Sequence, residues 1–274
     1  MPDLKSIVLE NPMLVEAKRF GRKFLGVSRG NTLSRGILVL SCFIYLMLVM
    51  VTFSNRTSMN SDYIIQFQTG LLCFVVPTIT YGAVAGERER RTWDLLIVAP
   101  ISKLQIIIGK FVSGLIVICS VALLMVPLIF ILAVSNGDRF MAVMSGEAAS
   151  LGFATAFSAC GLYVSSLMNR AFAAQAATYA VGLVWLVLWP MLVYLLNGSG
   201  DSVGYLLWSQ PFITTAAVAD RVYNIVSTGN VPWWLYSPGA QIVFYGLVTS
   251  VFLLLATIQI QEKKNRAVRG VGVA

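Results

Sequence analysis

The stretch of sequence that decides the fold is YGAVAGERERRTWDLLIVAPISKLQIIIGK, residues 81–110. A long apolar run leads into it and stops at five consecutive charged residues, which are Glu87, Arg88, Glu89, Arg90 and Arg91. A short apolar run follows, and Pro-Ile-Ser at 100–102 separates it from a second long apolar run. Proline and serine in this order end one helix and begin the next. The pattern predicts two membrane-spanning helices joined by a charged segment, residues 87–103, which we name the elbow.

The whole chain has the composition of a membrane protein. Of its 274 residues, 57% are hydrophobic and 12% are charged, and the mean hydropathy is +0.78. A soluble domain carries about twice that charged fraction, roughly 25%. A spanning helix needs about 20 apolar residues, and six segments qualify: 36–53, 63–86, 104–134, 140–168, 171–197 and 239–261. We therefore expect an all-α integral membrane protein in which residues 1–274 form one transmembrane domain.

The basic residues predict the orientation of these segments. Seven precede the first segment, five lie between the second and third or at the edge of the third, one joins the fourth and fifth, and four follow the sixth. These make 17 of the 20 lysines and arginines, which leaves Arg56, Arg139 and Arg221 for the other side. The positive-inside rule then places both termini and the elbow in the cytoplasm of a multi-pass cell-membrane protein. The net charge of +8 suits anionic lipid headgroups, so we expect no nucleic-acid partner.

Residues 11–25 predict a helix that lies on the membrane surface. At about 100° per residue, Leu14 and Phe20 fall on one arc, whereas Lys18 and Arg22 fall on the other. A basic amphipathic helix of this kind binds at the headgroup boundary. It anchors the approach to the first segment, and it can also contact a cytoplasmic partner.

Residues 198–238, on the predicted outer side, are too apolar for a solvated loop. The aromatic residues that stand out are Trp208, Phe212, Trp233 and Trp234. Such residues suit a membrane interface. The segment therefore reads either as an interfacial cap or as a hydrophobic gate, with a short helix beginning at Pro211.

The residues that catalysis would need are nearly absent from this chain. Gly109-Lys110 is followed by Phe111, so no Gly-x-x-x-x-Gly-Lys-Ser/Thr loop for ATP is present. The chain has no histidine, and its four cysteines lie inside predicted spans without metal-ligand spacing. We expect no enzyme activity, no metal and no cofactor in this chain. Glu147, about two turns inside the fourth segment, is a weak basis for a proton relay.

The elbow is the best candidate for a functional site. Its charges of alternating sign can pair with complementary charges on a partner. The apolar residues Leu95 and Leu96 can fill a groove on that partner. The alternative is a solvated charged turn followed by an interfacial helix.

The order Gly-Glu-Arg-Glu at 86–89, Thr92, Leu95-Leu96 and Pro-Ile-Ser at 100–102 resembles the membrane subunit of ABC-2 type exporters. The resemblance implies that the elbow meets a separate ABC ATPase subunit, which holds ATP and magnesium. It also implies that two membrane subunits, identical or related, pair, and that outer helices between the last two spans close the exit. The contact residues it implies are Glu87, Arg88, Glu89, Arg90, Arg91, Trp93, Asp94, Leu95 and Leu96.

Polar side chains on the second and fifth segments are the expected lining of a translocation path. They are Gln66, Gln68, Thr69, Thr78, Gln175 and Thr178. Two other functions stay open at this point. A gradient-driven secondary transporter would show proton- or sodium-dependent flux without any ATPase, and a non-transporting scaffold would bind a partner without substrate-linked ATP turnover. The transported substrate is not indicated.

Overall fold

A computed structural model of the chain describes residues 61–93, 102–137, 140–197, 207–218 and 237–271. Within these ranges every regular element is a helix, and no β-strand occurs. The predicted surface helix at 11–25 and the first predicted span at 36–53 lie outside the described residues. The same holds for Asp94, Leu95, Leu96, Trp233 and Trp234.

The described helices run in the order α1 Ser61–Thr80, α2 Ala85–Glu89, α3 Lys103–Asn136, α4 Phe140–Leu167, α5 Ala171–Leu183, a π-helix Val184–Leu188, α6 Trp189–Asn197, α7 Pro211–Val218 and α8 Pro238–Val271. Five stretches of the described chain are long and apolar enough to cross a membrane: Ser61–Glu89, Lys103–Ser135, Val143–Leu167, Ala171–Leu196 and Gly239–Ile260. They correspond to the second through sixth predicted segments. The all-helical fold is therefore confirmed, with five of the six predicted spans in view.

Two of these spans are interrupted near a proline. In Ser61–Glu89, α1 carries Pro77 and ends at Thr80. The span resumes as α2 after a turn through residues 81–84. In Ala171–Leu196, the π-helix ends two residues before Pro190, whose ring cannot sit in a regular α-helical turn without displacing the carbonyl four residues earlier. A π-turn is one way to absorb that displacement. By contrast, α3 continues past Pro127 as one helix.

α3 has clear start and stop signals and leads into a tight hairpin. The Ser102 hydroxyl accepts from the Gln105 amide nitrogen at 3.2 Å, and the Gln105 side chain accepts from the Ser102 amide nitrogen at 2.9 Å. This reciprocal capping box satisfies amides that otherwise have no partner at a helix start. Gly137 ends the helix at φ 69°, a left-handed conformation that glycine adopts without strain. Only residues 137–139 separate α3 from α4 in the chain.

The interior is built around α4, which packs against α1, α3 and α8. Its small residues Gly152, Ala156 and Cys160 recur every fourth position, and small faces let helix backbones approach closely in lipid. Phe153 stacks on Phe157 with ring centroids 5.5 Å apart. Of these small residues, Gly152 lies against Tyr245 of α8.

Replacing Gly152 by alanine should destabilise the protein. A Cβ atom at this position would lie 2.7 Å from Cδ2 of Tyr245 in α8. That ring cannot move aside easily, because its hydroxyl donates to the Ser209 carbonyl at 2.7 Å and its edge packs against Phe153. Overpacking of this kind costs about 1–3 kcal/mol.

The matched control is Gly246→Ala in α8, where a Cβ atom would meet nothing within 4 Å. Alanine there should leave stability unchanged or raise it by up to about 1 kcal/mol. Thermal unfolding in detergent micelles compares the two variants. Equal melting temperatures would contradict the close approach of α4 and α8.

Candidate functional site

The candidate site is the described part of the elbow together with the turn that precedes it, residues 81–93. It lies at the end of the interrupted span, beside α3, α4 and the start of α5. Trp93 anchors it, because this side chain is only 7% exposed. The apolar residues that pack with Trp93 are Val84, Ile107, Leu162, Ala256 and Ile260.

Glu87 ties the elbow to α3. Its Oε1 lies 2.5 Å from Nζ of Lys110, and the two side chains are 21% and 12% exposed. Losing one partner of a charge pair that is removed from water to this extent strongly destabilises a protein, because the other charge stays buried without a partner. The sequence predicted Glu87 as a contact for a separate subunit, whereas its carboxylate is engaged within the chain.

Arg88 binds the C-terminal end of α4. Its Nη1 donates to the Ser166 carbonyl at 2.7 Å and to the Met168 carbonyl at 3.0 Å. The last carbonyls of a helix lack partners within the helix and carry partial negative charge, so a guanidinium stabilises them. The same guanidinium lies 5.2 Å from the centroid of the Trp93 ring, a cation–π contact.

Glu89 binds the helix that follows. Its Oε2 accepts from the Ala171 amide nitrogen at 2.9 Å. Ala171 is the first residue of α5, and a carboxylate is favourable beside the unpaired amides of a helix start. Arg88 and Glu89 therefore hold the two helix ends that meet at the turn 168–170.

Arg90 and Arg91 remain exposed at the end of the charged run. Neither side chain has an acidic partner among the described residues. Arg91 has φ 58°, the one non-glycine residue with a positive φ in the described part of the chain. Its amide nitrogen donates to the Arg88 carbonyl at 3.0 Å, which closes the turn after α2. Within the run Glu87 to Arg91, these two guanidinium groups are exposed and have no acidic partner among the described residues.

A cavity of about 850 Å³ opens beside the elbow between α1, α3 and α4. Its volume lies in the usual range for ligand sites. Hydroxyl groups and the Glu87–Lys110 pair make its wall partly polar. The polar residues of the wall include Thr78, Thr80, Tyr81, Ser113 and Ser158. Of the six residues predicted to line a path, only Thr78 contributes to this cavity.

The other predicted path residues lie elsewhere, and three of them are buried between helices. Gln68 donates from Nε2 to Oε1 of Glu147 at 2.7 Å, which joins α1 to α4. Thr69 is bonded to the Ser150 hydroxyl at 2.8 Å. Thr178 donates to the Ala174 carbonyl of its own helix at 2.8 Å. Gln66 and Gln175 are half-buried.

The described part of the outer segment packs onto the helices. The Trp208 ring lies 4.7 Å from that of Phe244, and Phe212 is half-buried. Gln210 donates from Nε2 to the Trp185 carbonyl at 2.7 Å, beside the π-helix. This carbonyl lies where the π-helix disturbs regular backbone bonding, so the glutamine supplies a partner there. The segment is not a solvated loop over 207–214.

Two contributors to the site were not predicted as site residues from the sequence. In the sequence, Lys110 is one of the basic residues that predict orientation, and its pairing with Glu87 spans 23 residues. Ser165 is one of several serines in an apolar helix, and no motif surrounds it in the sequence. In the structure it is fully buried against the turn 81–84. Their spacing from the elbow carries no periodic signal, so neither could have been found from local pattern.

The chain matches the family model described as ABC-2 family transporter protein over residues 37–263. No protein of curated function matches the chain. The matched range contains all five candidate spans and the elbow. The chain therefore belongs to the ABC-2 family of transporter proteins and is a membrane permease.

Proposed function

We propose that this permease is the membrane subunit of an ATP-driven exporter and that its elbow is where a separate ABC ATPase docks. Family membership supports transport across a membrane. The observation that carries the docking proposal is the division of charges in the elbow. Three of the five are engaged with α3, α4 and α5, while Arg90 and Arg91 are exposed.

The internal contacts suit an element that transmits movement. Glu87 holds α3, Arg88 holds the end of α4, and Glu89 holds the start of α5. Hydrogen bonds to charged groups are each worth about 1.5–3 kcal/mol. A displacement of the elbow would therefore carry the cytoplasmic ends of several spans with it.

The exposed side chains of the elbow indicate the chemistry of the partner surface. Arg90 and Arg91 favour an acidic patch, because complementary charge gives orientation and specificity at an interface. The contact is proposed to be completed by the residues that follow Trp93. Leu95 and Leu96 fill an apolar groove on the partner, and Asp94 adds a charged contact. ATP and magnesium belong to the partner in this scheme, and the elbow must then face the cytoplasm of a cell-membrane protein.

The path for the substrate is proposed to begin at the 850 Å³ cavity beside the elbow. Its hydroxyl-bearing wall, which includes Thr78, offers polar contacts at the cytoplasmic end. A second permease copy would complete the path. Span five, Ala171–Leu196, supports such pairing because its apolar side chains are exposed along most of its length, including Trp185, Leu188 and Met191. The segment around Trp208 and Phe212, with Trp233 and Trp234, is proposed as the outer gate.

Purification of the tagged permease from its native membranes tests the proposal. A Walker-motif ATPase should co-purify in a stoichiometric amount, and the complex should hydrolyse ATP. Substrate flux in vesicles should need ATP and persist when proton and sodium gradients are dissipated. Flux that follows an ion gradient without ATP would favour a secondary transporter instead, and ATPase binding without flux would favour a scaffold.

A further inference from the structure

The turn between α1 and α2 leaves backbone groups that a continuous helix would satisfy. α1 ends at Thr80, and Ala83 donates to the Thr80 carbonyl at 3.1 Å, a tighter pairing than that of an α-helix. Val84 and Ala85 are both fully buried here. A buried amide without a hydrogen-bond partner costs about 1–3 kcal/mol. The interruption of the span therefore needs partners from another part of the chain.

Ser165 of α4 is the partner of three such groups. Its Oγ accepts from the Val84 amide nitrogen at 3.1 Å and from the Ala85 amide nitrogen at 3.0 Å. The same hydroxyl donates to the Tyr81 carbonyl at 2.8 Å. A serine hydroxyl has one donor and two acceptor sites, so every bond that it can make is used at this break. The residue itself is fully buried.

The two pieces of the interrupted span are fastened to different parts of α4. α1 is joined to its outer half by the Gln68–Glu147 and Thr69–Ser150 contacts. α2 is joined to its cytoplasmic end by Ser165 and Arg88. The break is thus a joint between a fixed outer helix and the elbow.

We propose that Ser165 is a positioning residue that keeps this span broken and sets the direction of the elbow. Movement of a docked ATPase then passes to the turn 168–170 and to α4 and α5, and it is not transmitted along α1. This inference rests on the proposed docking function of the elbow. Its structural part, the joint itself, stands without any partner.

Loss of the hydroxyl should let the break close. Without Ser165 Oγ, the nearest partners for the Val84 and Ala85 amides are the Thr80 and Tyr81 carbonyls, four residues earlier. Bonding to them would continue α1 into α2 as one α-helix. Arg88 and Glu89 would then leave the ends of α4 and α5, and the elbow would swing away from the turn 168–170.

Ser165→Ala tests the joint in the full-length permease. Spin labels at Thr92→Cys and Phe172→Cys, both exposed sites, report the distance between the elbow and α5 by pulsed electron resonance in a background lacking the four native cysteines. Ser165→Ala should shift or broaden this distance distribution by several ångströms. Ser120→Ala is the control, because its hydroxyl bonds the Ile116 carbonyl of its own helix. A distribution unchanged by Ser165→Ala would overturn the inference.

The complex with the ATPase supplies the second measurement. Ser165→Ala should leave the dissociation constant for the ATPase within about threefold, because Arg90 and Arg91 are unchanged, and should lower substrate-coupled ATP turnover about tenfold. Full coupling with Ser165→Ala would overturn the role of the joint in transmission. If the wild-type permease binds no ATPase, the docking proposal fails, while the spin-label distances still decide whether Ser165 holds the break.

Discussion

Reversal of the two exposed arginines of the elbow, Arg90→Glu with Arg91→Glu, should nearly abolish ATPase binding while the permease still folds. Both side chains are exposed and have no acidic partner among the described residues. Their reversal should therefore cost the isolated permease little, since exposed charges contribute about 0–1 kcal/mol. Against an acidic surface on a partner, the same change turns attraction into repulsion.

The expected size of the effect follows from charged contacts at interfaces. Loss of a desolvated charge contact costs about 2–5 kcal/mol, and 1.4 kcal/mol is a tenfold change in affinity. The double reversal should weaken binding by roughly 30-fold to several-thousand-fold. Titration of the purified ATPase onto immobilised permease in nanodiscs measures it, at low and at physiological salt, since screening weakens such contacts.

The control carries the same change of charge on the same predicted side of the membrane. Lys263→Glu with Lys264→Glu follows the last span in sequence and removes as many cations. It should leave ATPase affinity within about threefold. Equal losses from both pairs of reversals would indicate a general effect of cytoplasmic charge, and wild-type affinity after the arginine reversal would remove the elbow as the docking site.

An exchange of charges between Glu87 and Lys110 should separate the contacts that the elbow makes within the permease from its contacts with the ATPase. Glu87→Lys alone places two ammonium groups where Oε1 and Nζ now lie 2.5 Å apart in a mostly buried position. Breaking a buried pair typically costs about 3–5 kcal/mol. The single variant should therefore lower the melting temperature of the permease and abolish coupled ATP turnover.

The double variant, Glu87→Lys with Lys110→Glu, should recover most of both losses. It restores an attractive pair in reversed order, so the coupling free energy between the two positions should exceed about 2 kcal/mol in a double-mutant cycle. Melting temperature and coupled turnover are the two measurements. If stability returns but turnover stays lost, Glu87 contacts the ATPase directly, as the sequence predicts. The pairing of Glu87 with Lys110 would then not be its functional role.

The contacts inside the protein change how the elbow sequence is interpreted. In the sequence, Glu87 through Arg91 are one alternating run with no reason to divide it. In the structure, Glu87, Arg88 and Glu89 bind helix ends and a lysine within the chain, and the last two charges make no such contact with the described residues. The division depends on where α3, α4 and α5 end around α2, which no local pattern records.

The structure also changes the interpretation of the residues predicted to line the path. Gln68 and Thr69 are polar residues on an apolar helix, and the sequence favoured a lining role for them. A polar group in lipid is stabilised equally by a partner on a neighbouring helix, and here Glu147 and Ser150 are those partners. Composition places a polar residue within a span, but it does not say which face of the helix meets another helix.

The sequence by itself determined the class of this protein, the apolar segments between 63 and 261 that form its five described spans, and the place of the elbow. These follow from local physics: long apolar runs must be buried in lipid, and glycine, proline and charge must end helices at the membrane boundary. Only the tertiary structure decided that Ser165 holds the break before the elbow and that Lys110 pairs with Glu87. Those contacts join residues 23 to 84 positions apart, and they exist because helix packing brings the ends of separate spans to one point.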